Sequence, residues 1–400
     1  MMAAVTAAEQ GAAVTLLEPN ERLGKKLNIT GKGRCNVTNN AAREELLANT
    51  ARNGRFLYSA FSRFDGRDAM TFFESLGVPL KTERGNRVFP VSDRSFDISG
   101  ALERRLRRLG VEIVRDRAAA VALNADGAVE QVVGERGRYG SEAVILATGG
   151  VSYPATGSTG DGYRIAERFG HTLIQPVGSL VPLVSGDPCC PAMQGLALKN
   201  VAVTVRSQKK TVYRDFGELL FTHFGMSGPV ILSASAHMRD FDRNRYTVDI
   251  DLKPALDDRK LEARLLRDME ERKNQNFTAL VGGLVPHSMI PVMVERCGVD
   301  GETKVHSVTR EQRRKLEETL RHFTVEVTGP RPVEEAIVTS GGISIKEINS
   351  TTMKSKIVKG LYFSGEILDV DAYTGGFNLQ IAWATGRAAG LAAADTGENQ

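Results

Sequence analysis

The sequence predicts an α/β protein in which a mostly parallel sheet is interrupted by an inserted domain. Short apolar strands that end in an acidic residue or a glycine turn alternate with helices of small residues in 1–189 and again in 336–400. Residues 190–335 differ, because they alternate period-two strand patterns with charged helices and carry no glycine-rich nucleotide turn. With 400 residues, we expect two or three packed units.

The composition is that of a folded globular chain, with 42% hydrophobic and 25% charged residues. No apolar run approaches the roughly 18 residues of a membrane helix and no cationic segment opens the chain, so we expect a cytoplasmic protein without membrane association. The four cysteines have no CxxC or CxxH spacing, which argues against a metal site and a disulfide framework. The formal charge of +4 is too small to indicate nucleic-acid binding.

The first element is a helix of small residues that a glycine ends at Gly11, followed by a strand that ends at Glu18. In a dinucleotide-binding βαβ unit, the second strand ends in a carboxylate that binds ribose hydroxyls, roughly 20 residues past a G-x-G-x-x-G turn. Glu18 fits that place, although the turn would fall before Met1. A solvated strand end is the alternative interpretation.

The segment Thr30–Asn39 is a polar loop that is too rich in glycine and donors to be a plain connector. Gly31 and Gly33 permit close approach of the backbone to a ligand, while Arg34 and Asn36 supply donors. A tight turn with Arg34 in an ion pair is the alternative. Cys35 is either a redox thiol or a buried, inert one.

The elements from residue 56 to residue 147 alternate helices and hairpins. Helical patterns cover 56–64, 68–76 and 95–109, and a hairpin turns at Gly85-Asn86. The basic segment Arg104–Arg117 places its arginines between leucines at helical spacing, which predicts a solvated helix face rather than a nucleic-acid surface. Period-two patterns then predict an antiparallel meander that ends in one buried parallel strand over 143–147.

Two glycine motifs follow apolar strands. Thr148, Gly149 and Gly150 come directly after the strand at 143–147, where the missing side chains let the backbone lie against a flat ring or a diphosphate. The strand 360–364 ends at Gly365-Glu366, at a carboxyl strand end where α/β sheets bind ligands. Gly375-Gly376 then opens a helix whose free N–H groups favour an anionic or electron-rich group.

These stretches, together with "RVFPVSDRS", "GELLFTHFGMSGPVIL" and "SGGI", run through nearly the whole chain in order. They resemble the BaiN-like flavoproteins, also called the aminoacetone oxidase family of FAD-binding enzymes. The resemblance implies a glutathione-reductase-type FAD-binding domain in 1–189 and 336–400, interrupted by an insert of a β-barrel-like part and a small helical part.

The resemblance also implies FAD contacts for seventeen residues. It assigns the adenosine ribose to Glu18. It places along the path of the flavin the residues Lys26, Gly31, Gly33, Arg34, Cys35 and Asn36. The pyrophosphate and ribityl chain would meet Thr148, Gly149, Gly150, Gly365, Glu366 and Asp371. The isoalloxazine would meet Gly376, Phe377, Asn378 and Leu379.

Members of that family begin with a strand and a G-x-G-x-x-G turn ahead of the first helix found here. The resemblance therefore predicts that this segment is missing from the sequence and that FAD binding is weakened. We expect an FAD-dependent oxidoreductase of a small-molecule substrate, with NAD(P)H as candidate co-substrate. His223 is the best candidate acid or base, and a structural role is its alternative.

Two other functions stay open at this point. One is a flavin-containing protein that binds or modifies RNA, although the basic segments do not interleave aromatic residues as base-stacking surfaces do. The other is a flavin carrier without catalytic activity. The sequence indicates no substrate, no choice between NADH and NADPH, and no oligomeric state.

Overall fold

The computed structural model describes residues 1–208 and 210–395, which divide into two compact units. Unit 1 comprises Met1–Ser179 and the chain from Pro332 onward, and unit 2 comprises Leu180–Arg331. The sequence predicts the boundaries of the insert at 190 and 335. The chain enters unit 2 earlier because a short strand at Leu183–Val184 pairs with the sheet of that unit.

The first part of unit 1 mixes helices with short strands. The helices are α1 Met2–Glu9, α2 Lys25–Ile29, α3 Arg43–Ala48, α4 Tyr58–Arg63, α5 Gly66–Ser75, α6 Ser95–Arg108 and α7 Asp161–Glu167. The strands are β1 Thr15–Leu17, β2 Thr38–Asn39, β3 Leu80–Glu83, β4 Arg87–Pro90, β5 Glu112–Val114, β6 Ala118–Leu123, β7 Val129–Gly134, β8 Arg138–Gly140, β9 Val144–Leu146 and β10 Leu173–Ser179.

Unit 2 is a seven-stranded antiparallel sheet with a group of helices between its fifth and sixth strands along the chain. The strands are β11 Leu183–Val184, β12 Ala197–Ser207, β13 Lys210–Thr222, β14 Gly225–Ser227, β15 Tyr246–Asp251, β16 Phe323–Val327 and β17 Gly329–Pro330. They pair in the order β16-β15-β12-β13-β14-β11-β17. The helices of unit 2 are α8 Cys189–Ala192, α9 Pro229–Ser235, α10 Asp258–Glu271, α11 Phe277–Gly282, α12 Ile290–Cys297 and α13 Arg310–Arg321. The last four form the group between the fifth and sixth strands.

The chain then returns to unit 1 with β18 Val338–Ile343, β19 Leu361–Phe363 and α14 Phe377–Ala394. In this unit β1 pairs with β5 and β9 pairs with β19, both in parallel. β18 pairs antiparallel with β10. The mixed α/β fold predicted from the sequence is confirmed. No helix within residues 1–208 and 210–395 is long and apolar enough to cross a membrane.

Small residues let α1 pack closely on α14. A side chain at Gly390 would overlap the carbonyl of Ala3, and Gly386 approaches Met2 and Ala3 in the same way. Trp383 of α14 is buried, meets the ring of Phe73 edge-on at 5.3 Å and donates its indole N–H to a backbone carbonyl. The glycine spacing of this helix therefore serves helix–helix packing, and Trp383 belongs to the core.

Candidate functional site

Three parallel strands of unit 1 end in segments that carry predicted site residues. Glu18 follows β1, Thr148 follows β9 and Glu366 follows β19. β9 and β19 are paired in register, with Leu146 opposite Phe363, and the Ser364 N–H continues the ladder to Leu146 O at 3.0 Å. Because the two paired strands end side by side, the residues that follow β9 and β19 lie next to each other.

A closed polar cluster holds the carboxylate of Glu366. Its Oε2 accepts from Lys26 Nζ at 2.6 Å, and its Oε1 accepts from Ser152 Oγ at 3.0 Å and from the Thr339 N–H at 2.8 Å. Lys26 Nζ also donates to Ser152 Oγ at 2.7 Å. The structure thus brings together two predicted residues, Lys26 and Glu366, and two that sequence reasoning missed, Ser152 and Thr339.

The same cluster explains one glycine of the Thr148–Gly150 motif. Thr339 Oγ1 accepts the N–H groups of Val151 and Ser152 at 2.8 and 3.1 Å. A Cβ at Gly150 would overlap that hydroxyl and would lie 3.1 Å from Glu366 Oε1. Gly150 is therefore required by the approach of β18 to this loop, whether or not a ligand is present.

Glu18 lies at the end of β1 with its side chain partly exposed. Its Oε1 accepts from the backbone N–H of Asn20 at 3.0 Å and from Asn20 Nδ2 at 2.8 Å. Asn20 Nδ2 also donates to Thr156 O at 3.0 Å, so Asn20 joins the β1 end to the loop after β9. Sequence reasoning missed Asn20, which donates both its backbone N–H and its side-chain amide to the carboxylate two residues before it.

The loop after β9 leaves polar atoms unsatisfied. Thr148 Oγ1 and the Tyr163 hydroxyl are buried and have no hydrogen-bond partner among the described residues. Burial raises the pKa of Tyr163, and the carboxylates of Glu366 and Asp369 raise it further. A Cβ at Gly162 would overlap Thr148 Oγ1, so the start of α7 packs directly on this threonine.

The segment 30–36 forms a 3-10 turn with an unusual run of left-handed residues. Gly31, Lys32, Gly33 and Cys35 have φ angles of 57°, 60°, 85° and 59°. Two of these residues carry side chains, which disfavour this conformation, so the surrounding structure must hold the turn. No heavy atom of the described residues lies within 4 Å of a Cβ built on Gly33, so the backbone there faces open space.

Arg34 is fully engaged with neighbouring side chains. Its guanidinium pairs with Glu83 and, at 2.6 Å, with Asp93, and it stacks on the ring of Phe89 at 4.1 Å. Lys81 adds a second cation on Asp93 at 2.8 Å. These contacts are the ion-pair alternative that the sequence left open for Arg34.

Cys35 is buried, and desolvation raises the pKa of its thiol to about 12. At neutral pH the sulfur is therefore a protonated, poorly nucleophilic thiol, which is the inert alternative. His223 lies elsewhere, exposed in the turn between β13 and β14 of unit 2, where its ring meets that of Phe224 edge-on at 5.0 Å.

The N-terminus of α14 lies against the Asn36 segment. With the Asn36 amide nitrogen donating to Thr38 O at 3.1 Å, its oxygen accepts the Gly376 N–H at 3.0 Å. Gly376 caps the helix without a side chain, so the N–H groups of the first turn, at Phe377, Asn378 and Leu379, have no partner within the helix. A Cβ at Gly376 would overlap Thr38 O, which explains this glycine.

Side chains that form hydrogen bonds within the protein fix the turn before α14. Asn378 accepts the Ala372 N–H at 3.0 Å and donates to Ala372 O at 2.7 Å. Asp371 is buried and accepts the hydroxyls of Ser179 at 2.8 Å and Ser340 at 2.6 Å. Asp371 thus bonds within the protein, while Phe377 is buried in the core and Leu379 packs against it.

The residues present fit an elongated, electron-rich ligand. A carboxylate at the β1 end suits sugar hydroxyls, the open backbone at Gly33 suits a flat group, and the uncapped first turn of α14 suits negative charge. An FAD molecule has these three parts. Among the described residues, no group of three or more His, Cys, Asp or Glu side chains could hold a metal ion.

Comparison with known proteins supports this assignment at the level of family and fold. The family model described as "HI0933-like protein Rossmann domain" matches residues 1–392. A 3-dehydro-bile acid delta(4,6)-reductase of Clostridium scindens is 31% identical, over 99% of this chain and 96% of that protein. A ribosomal RNA dihydrouridine synthase of Escherichia coli is 29% identical, over 96% of this chain and 93% of that protein.

Among solved structures, a 3-ketosteroid-delta4-(5alpha)-dehydrogenase of Rhodococcus jostii has a TM-score of 0.52 at 13% identity. The match covers 99% of this chain and 94% of that chain, and it shows a shared fold. The resemblance stated from the motifs is therefore confirmed, and the chain belongs to the HI0933-like Rossmann-domain family.

Proposed function

We propose that this protein is an FAD-dependent oxidoreductase that reduces a carbon–carbon double bond conjugated to a carbonyl group. The observation that carries the proposal is the first turn of α14, whose N–H groups have no partner within the helix and which lies beside the left-handed 31–36 segment. Family membership supports it, because Rossmann-type folds bind dinucleotides.

Each part of the candidate site has a role in holding FAD. Glu18 would accept the adenosine ribose hydroxyls, and Thr148 and Gly149 would lie along the pyrophosphate. The N–H groups of Phe377 and Asn378, at the positive end of the helix dipole, would stabilise negative charge on the isoalloxazine. When bound, FAD supplies the hydride that an oxidoreductase transfers, and the protein supplies position and electrostatics.

We propose a supporting role for Glu366 rather than a direct contact with FAD. Its oxygens accept from Lys26, Ser152 and the Thr339 N–H, so the carboxylate fixes the loops after β9 and β19 and the N-terminal part of α2. We propose that Glu366 sets the spacing of the glycine segments against which FAD lies. NAD(P)H as the source of electrons is a further part of the proposal.

The substrate class is inferred from what the printed activities of the relatives share. A delta(4,6)-reductase of a 3-dehydro-bile acid and a dihydrouridine synthase both add hydrogen across a carbon–carbon double bond. In 3-oxo-4-ene steroids and in uridine, that bond is conjugated to a carbonyl, which makes the distal carbon an acceptor for hydride. We favour a small-molecule enone, because the 31% identical relative acts on one.

A second candidate function is reduction of uridine in RNA. Two ribosomal RNA dihydrouridine synthases, of Escherichia coli and Haemophilus influenzae, match 96% and 98% of this chain. Helix α6 exposes Arg104 and Arg108 four residues apart, and Phe96 at its start is 57% exposed. Exposed cations and an exposed ring on one helix suit a single-stranded nucleic acid. However, Arg105 and Arg107 of the same helix pair with Glu9 and Glu103.

The experiment that tests the proposal measures flavin binding first and substrate second. The purified chain is incubated with FAD, freed of excess, and its visible spectrum gives the flavin content. We expect Glu366→Ala to lower that content more than Asp257→Ala, because Asp257 caps α10 in unit 2 and pairs with Lys260 of that helix. Equal flavin content in the two variants at matched protein concentration would overturn the site assignment.

The reduced holoprotein is then mixed with a 3-oxo-4-ene steroid or with ribosomal RNA lacking dihydrouridine. Loss of the enone absorbance with reoxidation of the flavin supports the small-molecule substrate. Formation of dihydrouridine supports the RNA alternative. A chain that binds FAD but reduces neither substrate would refute the proposed reaction while leaving FAD binding intact.

A further inference from the structure

Unit 1 exposes apolar side chains that the proposed function does not use. Ile29 at the end of α2 is 46% exposed, Val91 directly after β4 is 54% exposed, and Phe96 in the first turn of α6 is 57% exposed. Single exposed apolar residues are common on proteins, whereas a contiguous group of them marks an interaction site. The packing of the segments that carry these residues decides which of the two cases applies.

Direct contacts hold the two segments side by side. Ser95 Oγ donates to Asn28 O at 2.9 Å, so the start of α6 lies against the end of α2. Arg34 and Asp93 form an ion pair at 2.6 Å, which joins the same two segments a second time. Each of the three apolar residues lies within two positions of a residue in these contacts. The three side chains therefore belong to one surface, which we call the apolar face of α2 and α6.

Cations surround this face. They are the exposed residues Lys25, Lys32, Arg94 and Arg104. The side chains of these four residues form no ion pair and no hydrogen bond with any residue that the structure describes. The carboxylate of Asp93, which lies between them along the chain, already pairs with two other cations. The charges around the face are therefore free to attract a partner.

Helix α6 brings one of these cations toward the exposed ring. Phe96 and Arg104 lie eight residues apart, so they point to the same side of the helix. Arg104 Nη1 lies 3.2 Å from a Cβ built on Gly100, so the guanidinium runs back along α6 in the direction of Phe96. The carboxylates of this stretch, Asp97 and Glu103, are both bonded to neighbouring side chains. The side of α6 that carries Phe96 is therefore apolar and positively charged.

An anionic lipid surface matches both properties of the face. Exposed apolar side chains enter the boundary between headgroups and acyl chains, while lysine and arginine attract negatively charged headgroups. A single-stranded nucleic acid would meet the cations, but its bases stack on rings, and Ile29 and Val91 are aliphatic. We propose that the apolar face of α2 and α6 docks on the surface of an anionic membrane.

A docking surface of this kind leaves no apolar run in the sequence, because its residues come from two segments that are far apart in the chain. The lack of such a run excludes a spanning helix, not peripheral binding. The position of the face also suits the proposed substrate class, since an apolar enone partitions into lipid and the open backbone at Gly33 lies next to Lys32. Docking itself does not depend on the proposed function.

The test measures sedimentation of the full-length chain with vesicles of phosphatidylcholine, with or without one-third phosphatidylglycerol. We expect binding to the anionic vesicles only, and its loss at high salt, where screening removes the attraction. Arg94→Glu with Arg104→Glu should lower the partition coefficient at least about 25-fold, since each cation near an anionic surface contributes about fivefold. Val91→Ser with Phe96→Ser should lower it at least about tenfold, because less apolar surface is buried.

The matched control is Arg214→Glu with Phe216→Ser, which removes an exposed cation and a ring that is 55% exposed from β13 of unit 2. This variant should bind vesicles as the unaltered chain does. Phe96→Trp supplies a readout that keeps the face apolar. Brominated acyl chains should quench the introduced indole, whereas Trp383 is buried in the core.

Four results would overturn the proposal: equal binding to the neutral and anionic vesicles, equal loss of binding in the control variant, no quenching by brominated lipid, or binding of ribosomal RNA without binding of vesicles. The last result, if it is abolished by the double arginine variant, would assign the face to RNA. Flavin content is recorded in parallel for every variant. Failure of docking is therefore distinct from failure of the proposed function.

Discussion

The ion pair between Lys26 and Glu366 is expected to contribute more to stability than ion pairs on the surface. Its side chains are only 23% and 20% exposed, and the atoms lie 2.6 Å apart. A hydrogen bond between charged groups contributes about 1.5 to 3 kcal/mol when water is largely excluded. An exposed pair contributes about 0.3 to 0.5 kcal/mol at helical spacing.

The perturbation is a double-mutant cycle of Lys26→Met and Glu366→Gln, which nearly preserves the volume of both side chains. We expect a coupling free energy of about 1.5 to 3 kcal/mol between the two sites. Glu366→Gln alone should destabilise unit 1 by about 2 to 3 kcal/mol, because the single amide oxygen of glutamine cannot accept from both Lys26 Nζ and the Thr339 N–H. The coupling should persist at 1 M salt, where screening removes surface terms.

The assay is urea unfolding followed by fluorescence of Trp383, the single tryptophan, which reports on the core of unit 1. The matched control is the same cycle on Glu103 and Arg107, an exposed pair in α6 whose side chains are 39% and 66% exposed. A coupling at Lys26 and Glu366 no larger than that of the control pair would refute the reasoning.

Three further outcomes follow from single sites. Thr385→Val should destabilise the protein by about 1 to 3 kcal/mol in urea, since the Gly365 N–H loses its acceptor at 2.9 Å; Thr385→Ser should restore most of this. Burial lowers the pKa of His171 despite its contact with Glu347, so the unfolded chain takes up that proton first as pH falls below about 6.5. The free energy of unfolding should therefore decrease from pH 7.5 to 5.5, and His171→Gln should flatten this slope. Cys35, whose thiol pKa is about 12, should resist alkylation in the native chain at pH 8, as peptide mapping would check; rapid labelling would contradict its burial.

Local structure in this protein was predictable because it rests on patterns that neighbouring residues share. The helix predicted over 95–109 is α6, and its leucines at 102 and 106 are buried while the intervening arginines are solvated or paired. The hairpin predicted at Gly85-Asn86 joins β3 and β4, with both turn residues left-handed. Apolar spacing and turn residues suffice for such elements.

Side-chain partners were not predictable, because they join residues that are far apart in sequence. Lys26 meets Glu366 across 340 positions, and Ser152 meets the same carboxylate across 214. Nothing in the residue spacing near Arg34 indicates that its guanidinium pairs with Glu83 and Asp93. The early entry into unit 2 has the same cause, since the short strand β11 is recognisable only by its pairing with β14 and β17.

The glycines of the candidate site have two different physical causes, and sequence alone does not separate them. A Cβ at Gly150 would overlap Thr339 Oγ1, and one at Gly376 would overlap Thr38 O, so these glycines serve packing. A Cβ at Gly33 would meet no heavy atom within 4 Å in the described part of the chain, although its φ of 85° is left-handed. Backbone open to a ligand thus occurs at Gly33 and at the first turn of α14. Main-chain N–H groups at these positions would bind a ligand whatever side chains the positions carry. A motif search therefore finds the neighbourhood of such a site through its packing glycines, while the groups that would touch the ligand leave little mark on the sequence.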